Sequence, residues 1–162
     1  MKTALITGAS GEIGAAVARH FAEAGYGVAL HGARHFKNAE ALADTLRQAG
    51  HTACAVQGDL SDPGACARVW AESESALGPI DVLVNGAGIS LVEFFDAVSP
   101  AAWNALVGAN LSSAVWLSQH AAKSMIRRKA GAIVHVSSIW GVSGAALEGA
   151  YSAVKARMLG MA

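Results

Sequence analysis

The 162-residue sequence has no net charge, no long apolar run and no cysteine framework. Twelve basic and twelve acidic side chains give a formal charge of zero, so the totals favour neither nucleic acid nor a membrane surface as a partner. No apolar segment approaches the roughly 20 residues of a membrane span, and no signal-peptide cleavage site follows the N-terminal apolar run. We therefore expect a cytoplasmic protein.

The sequence also has no pattern of residues that indicates a disulfide or a metal site. Cys54 and Cys66 have no CxxC spacing, and we interpret them as inert buried thiols. Five histidines have no cysteine or carboxylate at metal-ligand spacing: His20, His31, His51, His120 and His135. We interpret all five as structural and expect no metal.

Short apolar runs and 18 glycines are abundant instead. Five strand-like runs, at residues 3–7, 26–32, 52–58, 80–86 and 131–138, alternate with stretches of helical period. Nearly continuous apolar strands separated by helices predict a parallel sheet covered on both faces. The fold class is therefore α/β, a doubly wound parallel sheet of the Rossmann type, forming one domain over residues 1–162.

Two helical faces can be assigned from periodicity, and the last helix is short. One predicted apolar face contains Ile13, Val17, Phe21 and Ala24, and a second contains Leu111, Val115, Ala122 and Met125. A further helix begins near Tyr151 and stops at Ala162 with no sixth strand after it. We expect an N-terminal fragment that lacks the last strands and a substrate lid.

A glycine-rich turn, TGASGEIG, follows the first strand and leads into an apolar helix. Glycines at Gly8, Gly11 and Gly14 allow a sharp turn and a close approach of backbone to ligand. The following helix N-terminus offers free N–H groups to a phosphate. The strand–turn–helix context makes dinucleotide binding the favoured interpretation, although any strand-to-helix turn favours glycine.

Tyr151 and Lys155 are four residues apart, so on a helix they share one face. A phenol has a reference pKa of about 10, and a nearby ammonium favours the phenolate and makes acid–base work at neutral pH easier. Ser138 ends the fifth strand, thirteen residues before Tyr151. Parallel α/β sheets bind ligands at the carboxyl ends of their strands, where Ser138 is expected.

These motifs, in this order, resemble the short-chain dehydrogenase/reductase family. Gly8 and Gly14 match its TGxxxGxG turn, whose middle glycine position is taken by Glu12 here. The stretch NGAG, residues 85–88, is similar to the family's Asn-Asn-Ala-Gly, with Gly86 in place of the second Asn. The resemblance implies that a carboxylate at position 12 either points to solvent or weakens cofactor binding. It also places a sheet-bracing hydrogen bond at position 86 in doubt.

The resemblance also implies roles for the reactive residues. Tyr151 would protonate the carbonyl oxygen during reduction, and Ser138 would donate a hydrogen bond to that oxygen. Lys155 would tune Tyr151 and hold the cofactor ribose, and Asn110, near the start of a long helix, would support a water leading to Lys155. Ser137 is the nearest alternative to Ser138, but its side chain should lie on the other face of the strand.

The expected cofactor is NADPH, with NADH second. No acidic residue follows the second strand before Glu40, whereas Arg34, His35 and Lys37 cluster there, and an arginine fork suits a phosphate. A solvated basic loop is the alternative. The expected cofactor contacts are Thr7, Gly8, Ser10, Gly11, Glu12, Ile13, Gly14, Arg34, Asp59, Leu60, Asn85, Gly86, Ala87, Gly88, Tyr151 and Lys155.

The sequence indicates a ketone reductase more firmly than it indicates a substrate. Ser138, Trp140 and Glu148 are the expected pocket residues, although Trp140 also suits core packing and Glu148 a solvated loop. The chain resembles the 3-oxoacyl-[acyl-carrier-protein] reductases, and the stretches SSIWG and NGAGISL also resemble elongation factor P 5-aminopentanone reductases. A nucleotide-binding fragment with impaired catalysis is a further alternative. Relatives imply a small-molecule or carrier-bound ketone as partner and a homo-tetramer for the full-length protein.

Overall fold

The computed structural model describes residues 1–162 and contains one five-stranded parallel sheet. The strands are β1 (Thr3–Ile6), β2 (Gly27–Gly32), β3 (Ala53–Gln57), β4 (Val82–Asn85) and β5 (Ala132–His135). Their order across the sheet is β3-β2-β1-β4-β5, and every neighbouring pair is parallel. The predicted doubly wound Rossmann sheet and its five strands are confirmed. The strand order reverses direction at β1, which pairs with both β2 and β4.

Six α-helices connect and cover these strands. They are α1 (Glu12–Glu23), α2 (Phe36–Gln48), α3 (Pro63–Leu77), α4 (Pro100–Val107), α5 (Ser113–Arg128) and α6 (Gly149–Leu159). Helix ends follow local chemistry: the Asp62 carboxylate accepts from the amides of Gly64 and Ala65 at 3.0 Å each, with Pro63 at the first helical position. Helix α5 ends in two arginines followed by Lys129 in the left-handed region.

Apolar side chains of the strands alternate between two cores, one on each face of the sheet. Ala4 and Ile6 face α1 and α2, whereas Leu5 and Leu83 face α3 and α5. Cys66 is fully buried in the second core, while Cys54 is only half-buried. With both faces covered, functional groups are left to gather at the carboxyl edge of the sheet.

Helix α1 follows its predicted apolar face only in part: Val17 and Phe21 pack against the first core, but Ile13 and Ala24 do not. Ile13 is 70% exposed and Ala24 lies just after the helix, while Gly14, Ala18 and Ala22 face the core. Helix α1 packs so close to the first turn that a Cβ at position 14 would lie 2.3 Å from the Gly8 carbonyl oxygen. Small side chains therefore face the sheet, and the large apolar ones are left at its flanks.

The helix that contains Asn110 does not begin there. Helix α4 runs from Pro100 into a π turn over Gly108–Ser112, which continues directly into α5. Asn110 lies in this π turn and is buried. Single π turns inside helices are frequent at functional sites, because the shifted hydrogen-bond ladder re-aims one side chain.

The core face of α5 also differs from its prediction. Leu117, Ala121 and Met125 are buried in the second core, whereas Leu111 of the predicted set lies in the π turn and packs against a small third core. Val115 and Ala122 are half-buried and lie toward the outer surface of the helix. Their side chains remain available for contacts outside the chain.

Candidate active site

A cavity of about 760 Å³ opens where β1 separates β2 from β4. Its lining includes several residues that the sequence predicts as cofactor contacts: Gly8, Ser10, Arg34, Asp59, Leu60, Ala87 and Gly88. It also includes residues that sequence reasoning missed: His31, Ala33, His35, Gln57, Gly58, Ser61, Ile89, Ala105 and Ala109. The sequence carries no signal for these positions, because the order of the strands, which decides which strand ends meet, is seen only in the folded sheet.

The glycine-rich turn is packed on two sides. Gly8 has a φ of +73°, and a Cβ there would lie 2.9 Å from the Ala87 Cα. Gly14 packs beneath the Gly8 carbonyl, as described above, and does not line the cavity. The turn therefore requires glycine at both positions. Gly8 is required by its positive φ and by the lack of space for a side chain, and Gly14 by the close packing of α1 on the turn.

The N-terminus of α1 carries no side-chain cap. Its N-cap residue is Gly11, and Glu12, the first helical residue, is exposed. The first-turn amides are left to water or to a ligand, and a helix N-terminus favours an anion. Glu12 and Ile13 both lie at the surface, so the acidic side chain at position 12 is not buried against the turn.

Thr7 joins the glycine-rich turn to the turn after β4. Its buried hydroxyl oxygen accepts from the amides of Gly86 and Ala87, at 2.9 and 3.0 Å, and donates to the Val84 carbonyl at 3.2 Å. A Cβ at position 86 would lie 2.9 Å from the Thr7 carbonyl oxygen, so this close approach needs glycine. Thr7 and Gly86 thus hold together the two turns that border the cavity, although neither residue lines it.

Asn85 points into the sheet rather than into the cavity. Its Nδ2 donates to the Ser118 Oγ at 3.2 Å and lies 3.2 Å from the His135 Nδ1, while its buried Oδ1 has no protein partner. Burial holds the pKa of His135 below its usual value, so the neutral ring remains able to accept. Asn85 and His135 brace β4 against β5 beside the position where Gly86 has no side chain.

The far end of the cavity combines a cation with an ordered carboxylate. The hydroxyl and amide of Ser61 donate to Asp59 at 2.8 and 3.1 Å, and with the charge of Arg34 they hold the pKa of that carboxyl below its usual range. Asp59 is therefore ionised at neutral pH and suited to accept from hydroxyl or amine groups. Arg34 lines the same cavity and offers a phosphate-binding fork.

Lys155 is buried beside Tyr151 on α6. Its Nζ donates to the Val136 carbonyl at 2.9 Å and lies 5.7 Å from the centroid of the Tyr151 ring. Burial lowers the pKa of Lys155, whose residue is only 5% exposed. The phenol itself is half-buried and packs with Leu106 and Val154, so its hydroxyl is held at the end of a rigid helix.

Asn110 meets Lys155 across Gly88. The Asn110 Nδ2 donates to the carbonyls of Ile89 and Leu106, at 3.0 and 2.9 Å, while its buried Oδ1 has no protein partner. A Cβ on Gly88 would lie 2.1 Å from that Oδ1 and 3.8 Å from the Lys155 Nζ. An unpaired buried acceptor next to an ammonium is a suitable position for a bound water or ligand hydroxyl.

The two serines after β5 have different partners. The Ser138 Oγ accepts from the Trp140 amide at 3.2 Å and caps a short 3₁₀ turn, Ile139–Gly141. The Ser137 Oγ donates to the Lys155 carbonyl at 2.8 Å. Ser137 therefore connects α6 to the end of β5. The Ser138 Oγ only accepts within the protein, so its hydroxyl hydrogen is free to be donated to a ligand.

The predicted substrate residues lie on an open rim. Trp140 is 38% exposed and Glu148 is half-buried just before α6. Leu147 adopts a left-handed φ of +62°, and its carbonyl accepts from the Glu93 amide at 2.8 Å. Two loops, 89–99 and 139–148, thus meet at the rim through a backbone hydrogen bond.

No group of three or more His, Cys, Asp or Glu side chains lies close enough to hold a metal ion. No helix has the length and apolar character needed to cross a membrane.

The fold is a doubly wound α/β sheet with a cavity beside β1, and the predicted catalytic residues Asn110, Ser138, Tyr151 and Lys155 are not among the residues that line this cavity. Residues 2–162 match the short chain dehydrogenase family, and the chain belongs to that family. It is 38% identical over 159 residues to Nodulation protein G of Azospirillum brasilense. It is 34% identical over 160 residues to the 3-oxoacyl-[acyl-carrier-protein] reductase FabG of Staphylococcus aureus. The matches cover 98% and 99% of this chain but 65% of each relative.

Solved structures agree with this assignment. A gluconate 5-dehydrogenase from Burkholderia cenocepacia, in complex with NADP and tartrate, is 34% identical with a TM-score of 0.89. A metagenomic short-chain oxidoreductase in complex with NADP is 35% identical with a TM-score of 0.92. The alignments cover 98% and 99% of this chain, and 62% and 71% of the respective structures.

Proposed function

We propose that the protein is an NADPH-dependent reductase that converts a ketone into a secondary alcohol. The observation that carries the proposal is the buried Lys155 ammonium, one helical turn from Tyr151 and opposite the unpaired Oδ1 of Asn110. Such a group would be costly to bury without a chemical task. Membership of the short chain dehydrogenase family supports the same conclusion.

The residues of this chain fit a nicotinamide dinucleotide. Gly8 lets the backbone approach a pyrophosphate, and the uncapped N-terminus of α1 offers amides to it. Asp59 suits the adenosine side, and Arg34 suits a 2′-phosphate. When bound, the reduced nicotinamide supplies hydride.

The protein's own groups manage the proton and the carbonyl. Tyr151 gives a proton to the carbonyl oxygen as that oxygen gains negative charge, which is general acid catalysis. Ser138 donates a hydrogen bond to the same oxygen, and Lys155 stabilises the phenolate that remains. Asn110 and Lys155 lie on either side of a position that a water molecule can occupy, and through that water a proton can return to Tyr151.

The choice of NADPH rests on Arg34 and on the absence of a carboxylate after β2. Two structural neighbours bind NADP according to their descriptions. We propose a 3-oxoacyl thioester as the substrate class, which the likeness to the FabG reductase supports. A cationic ketone of the aminopentanone type is the alternative, favoured by the half-buried carboxylate of Glu148 at the rim.

The test is NADPH oxidation with acetoacetyl thioester, measured beside NADPH binding by cofactor fluorescence. We expect Tyr151→Phe to lower kcat by roughly 10²- to 10⁴-fold while the dissociation constant of NADPH changes little. Tyr26→Phe, in the turn between α1 and β2, is the matched control, because its ring contacts Phe21 and lies outside the cavity lining; both quantities should stay unchanged. Equal turnover with NADH would contradict the cofactor choice.

Two other outcomes would redirect the proposal. Binding of NADPH without turnover on any ketone would favour a nucleotide-binding role for this chain. Faster turnover of an aminopentanone ketone, lost in Glu148→Gln, would favour the cationic substrate class. Undiminished activity of Glu148→Gln on the amine substrate would remove the charge argument.

A further inference from the structure

His31 connects two walls of the cofactor cavity through its side chain. It lies near the end of β2, is 2% exposed and lines the cavity. Its Nδ1 is 3.2 Å from the Gly8 amide nitrogen, and its Nε2 is 2.9 Å from the Gly58 carbonyl oxygen. Its own carbonyl accepts from the Ala9 amide at 2.8 Å. One residue therefore holds both the glycine-rich turn and the end of β3.

The two partners allow only one form of the ring. The Gly8 amide can only donate, so Nδ1 must be unprotonated and accept; the Gly58 carbonyl can only accept, so Nε2 must carry the hydrogen. A protonated ring would direct an N–H from Nδ1 at the N–H of Gly8 and lose that hydrogen bond. The neutral Nε2–H tautomer is the only form that satisfies both groups.

The amide held by His31 belongs to the most constrained part of the turn. Gly8 has a positive φ and packs against Ala87, and Gly14 lies under its carbonyl. Packing against Ala87 and Gly14 prevents this peptide from shifting toward either residue. The hydrogen bond from its amide to His31 holds it on the remaining side. The ring also sets the separation between the turn and Gly58, which precedes Asp59.

We propose that His31 is a positioning residue for the dinucleotide, acting through Gly8 and Gly58 rather than by touching the reacting atoms. The neutral ring fixes the spacing between the pyrophosphate turn and the adenosine side of the cavity. Protonation releases the Gly8 peptide and weakens cofactor binding. This inference rests on the proposed function, because it takes the cavity to bind NADPH.

The charged surroundings determine when the ring takes a proton. Asp59, after β3, faces the ring and favours the imidazolium. Arg34 and His35, after β2, line the same cavity, and Glu12 on α1 is exposed. Burial outweighs Asp59 and the Gly58 carbonyl and holds the pKa of His31 below its usual value. The ring is therefore neutral at neutral pH and takes a proton only as the solution becomes acidic.

Two amide variants separate the two hydrogen bonds. In His31→Asn the Oδ1 takes about the place of Nδ1 and keeps the acceptor for Gly8, whereas in His31→Gln the Nε2 keeps only the donor to Gly58. We expect His31→Asn to bind NADPH nearly as well as the wild type. We expect His31→Gln to bind roughly fivefold more weakly, the loss that corresponds to one hydrogen bond.

The pH dependence distinguishes positioning from packing. Wild-type affinity for NADPH should fall as pH drops through the His31 pKa, beyond the fall seen in His31→Asn. That variant is the matched control, because it changes no other ionisable group of the cavity or of the cofactor. At saturating NADPH the kcat of all forms should agree, with the change confined to the KM for NADPH. Nitrogen NMR of the free chain should show His31 as the Nε2–H tautomer.

Several results would overturn the inference. It fails if His31→Asn and His31→Gln bind NADPH equally, if the wild type and His31→Asn share one pH profile, or if NMR shows the Nδ1–H tautomer. Thermal unfolding checks that each variant is folded, and the Asn–Gln comparison holds even if larger substitutions do not fold. Absence of NADPH binding by the wild type would overturn the proposed function and this inference together, whereas equal binding by the variants would overturn only the inference.

Discussion

Gly88 is the residue on which the lysine, the asparagine and the cavity wall converge. Its backbone lies against the Asn110 Oδ1 and near the Lys155 Nζ, and it lines the cavity. The φ of Gly88 is not in the left-handed region, so space rather than backbone conformation requires glycine here. Because Gly88 has no side chain, the unpaired Oδ1 of Asn110 can lie near the Lys155 Nζ at the wall of the cavity.

Gly88→Ala should therefore damage catalysis more than folding. The new Cβ would displace the Asn110 side chain, and we expect kcat to fall roughly 10²-fold, as for an ångström-scale misplacement. The free energy of unfolding should fall by about 1–3 kcal/mol because of overpacking. The measurements are steady-state NADPH oxidation and urea unfolding. Gly144→Ala is the control, since nothing lies within 4 Å of a Cβ there.

A second variant locates the cause. Gly88→Ala combined with Asn110→Ala removes the side chain that the methyl group strikes, but it also removes the amide donor to the Ile89 and Leu106 carbonyls. The matched reference is therefore Asn110→Ala alone: adding Gly88→Ala to it should cost no further stability, while kcat stays low. If the double variant regains kcat, the amide of Asn110 is not needed at the site. If Gly88→Ala alone is fully active, the close approach has no catalytic importance.

The sequence made some residues of the site easy to identify and concealed others. Tyr151 and Lys155 could be identified because a four-residue spacing on one helix has a chemical meaning that needs no tertiary contact. His31 could not, since its partners come from β1 and β3 and only the sheet brings them together. Gly86 raised doubt about bracing, yet the bracing comes from Thr7, Asn85 and His135, which lie on three different strands or their turns.

At the scale of elements, a salt bridge ties α5 to the start of β4. The Arg128 Nη1 donates to the Asp81 Oδ1 at 2.7 Å, with about a quarter of each side chain exposed, and its Nη2 donates to the Ile80 carbonyl. The Asp81 Oδ2 also accepts from the Thr3 amide at 3.0 Å. Burial raises the pKa of Asp81, but these hydrogen bonds and the charge of Arg128 outweigh it and leave the pKa lowered.

Asp81→Asn should lower stability in a pH-dependent way. Because the folded-state pKa lies below the unfolded one, the carboxylate stabilises the fold above the unfolded value of about 3.9. That contribution is lost as pH falls through the folded pKa. We expect a loss of about 2 kcal/mol at pH 7, shrinking toward zero in acid, measured by urea unfolding at several pH values.

The exposed pair Arg47–Asp44 provides the matched control. About half of the Arg47 side chain and 60% of the Asp44 side chain are exposed, so Asp44→Asn should change stability by less than about 1 kcal/mol. Equal losses for Asp81→Asn and Asp44→Asn would show that the tie between α5 and β4 has no special importance.

The strands were predicted well, because each is a continuous apolar run in the sequence. The buried faces of the helices were predicted less well, because tertiary packing determines which side of a helix faces the sheet. All five strands follow from apolar runs of the right length, because a strand buried on both faces needs no alternation. On helix α1 the small residues Gly14 and Ala18 take the centre of the buried face and allow close contact with the sheet. Val17 and Phe21 therefore pack beside that centre, and Ile13 is left exposed. The π turn at Asn110 was not predicted, because periodicity along the chain does not distinguish a single π turn from a continuous α-helix.

At the scale of the whole molecule, α5 presents an apolar stripe away from the core. Val115, Ala122 and Ile126 follow one another at helical spacing on the outer side, and Ile126 is 74% exposed. The family resemblance implies a homo-tetramer that assembles through the long helices beginning near Asn110 and Tyr151, and this stripe is the apolar face that α5 would offer to that contact. The alternative surface is the edge strand β5, which pairs only with β4 and leaves Val134 46% exposed.

Ile126→Glu should then reduce assembly without unfolding the chain. A buried carboxylate at a helix-to-helix contact would have no partner, whereas in a monomer the same side chain would lie in water at no cost. We expect the mass measured by light scattering to rise with concentration for the wild type and to stay near 16.4 kDa for the variant. Val134→Lys is the control, because a charge on β5 blocks edge pairing and leaves α5 intact. If Val134→Lys gives the monomer and Ile126→Glu does not, the chains associate through β5.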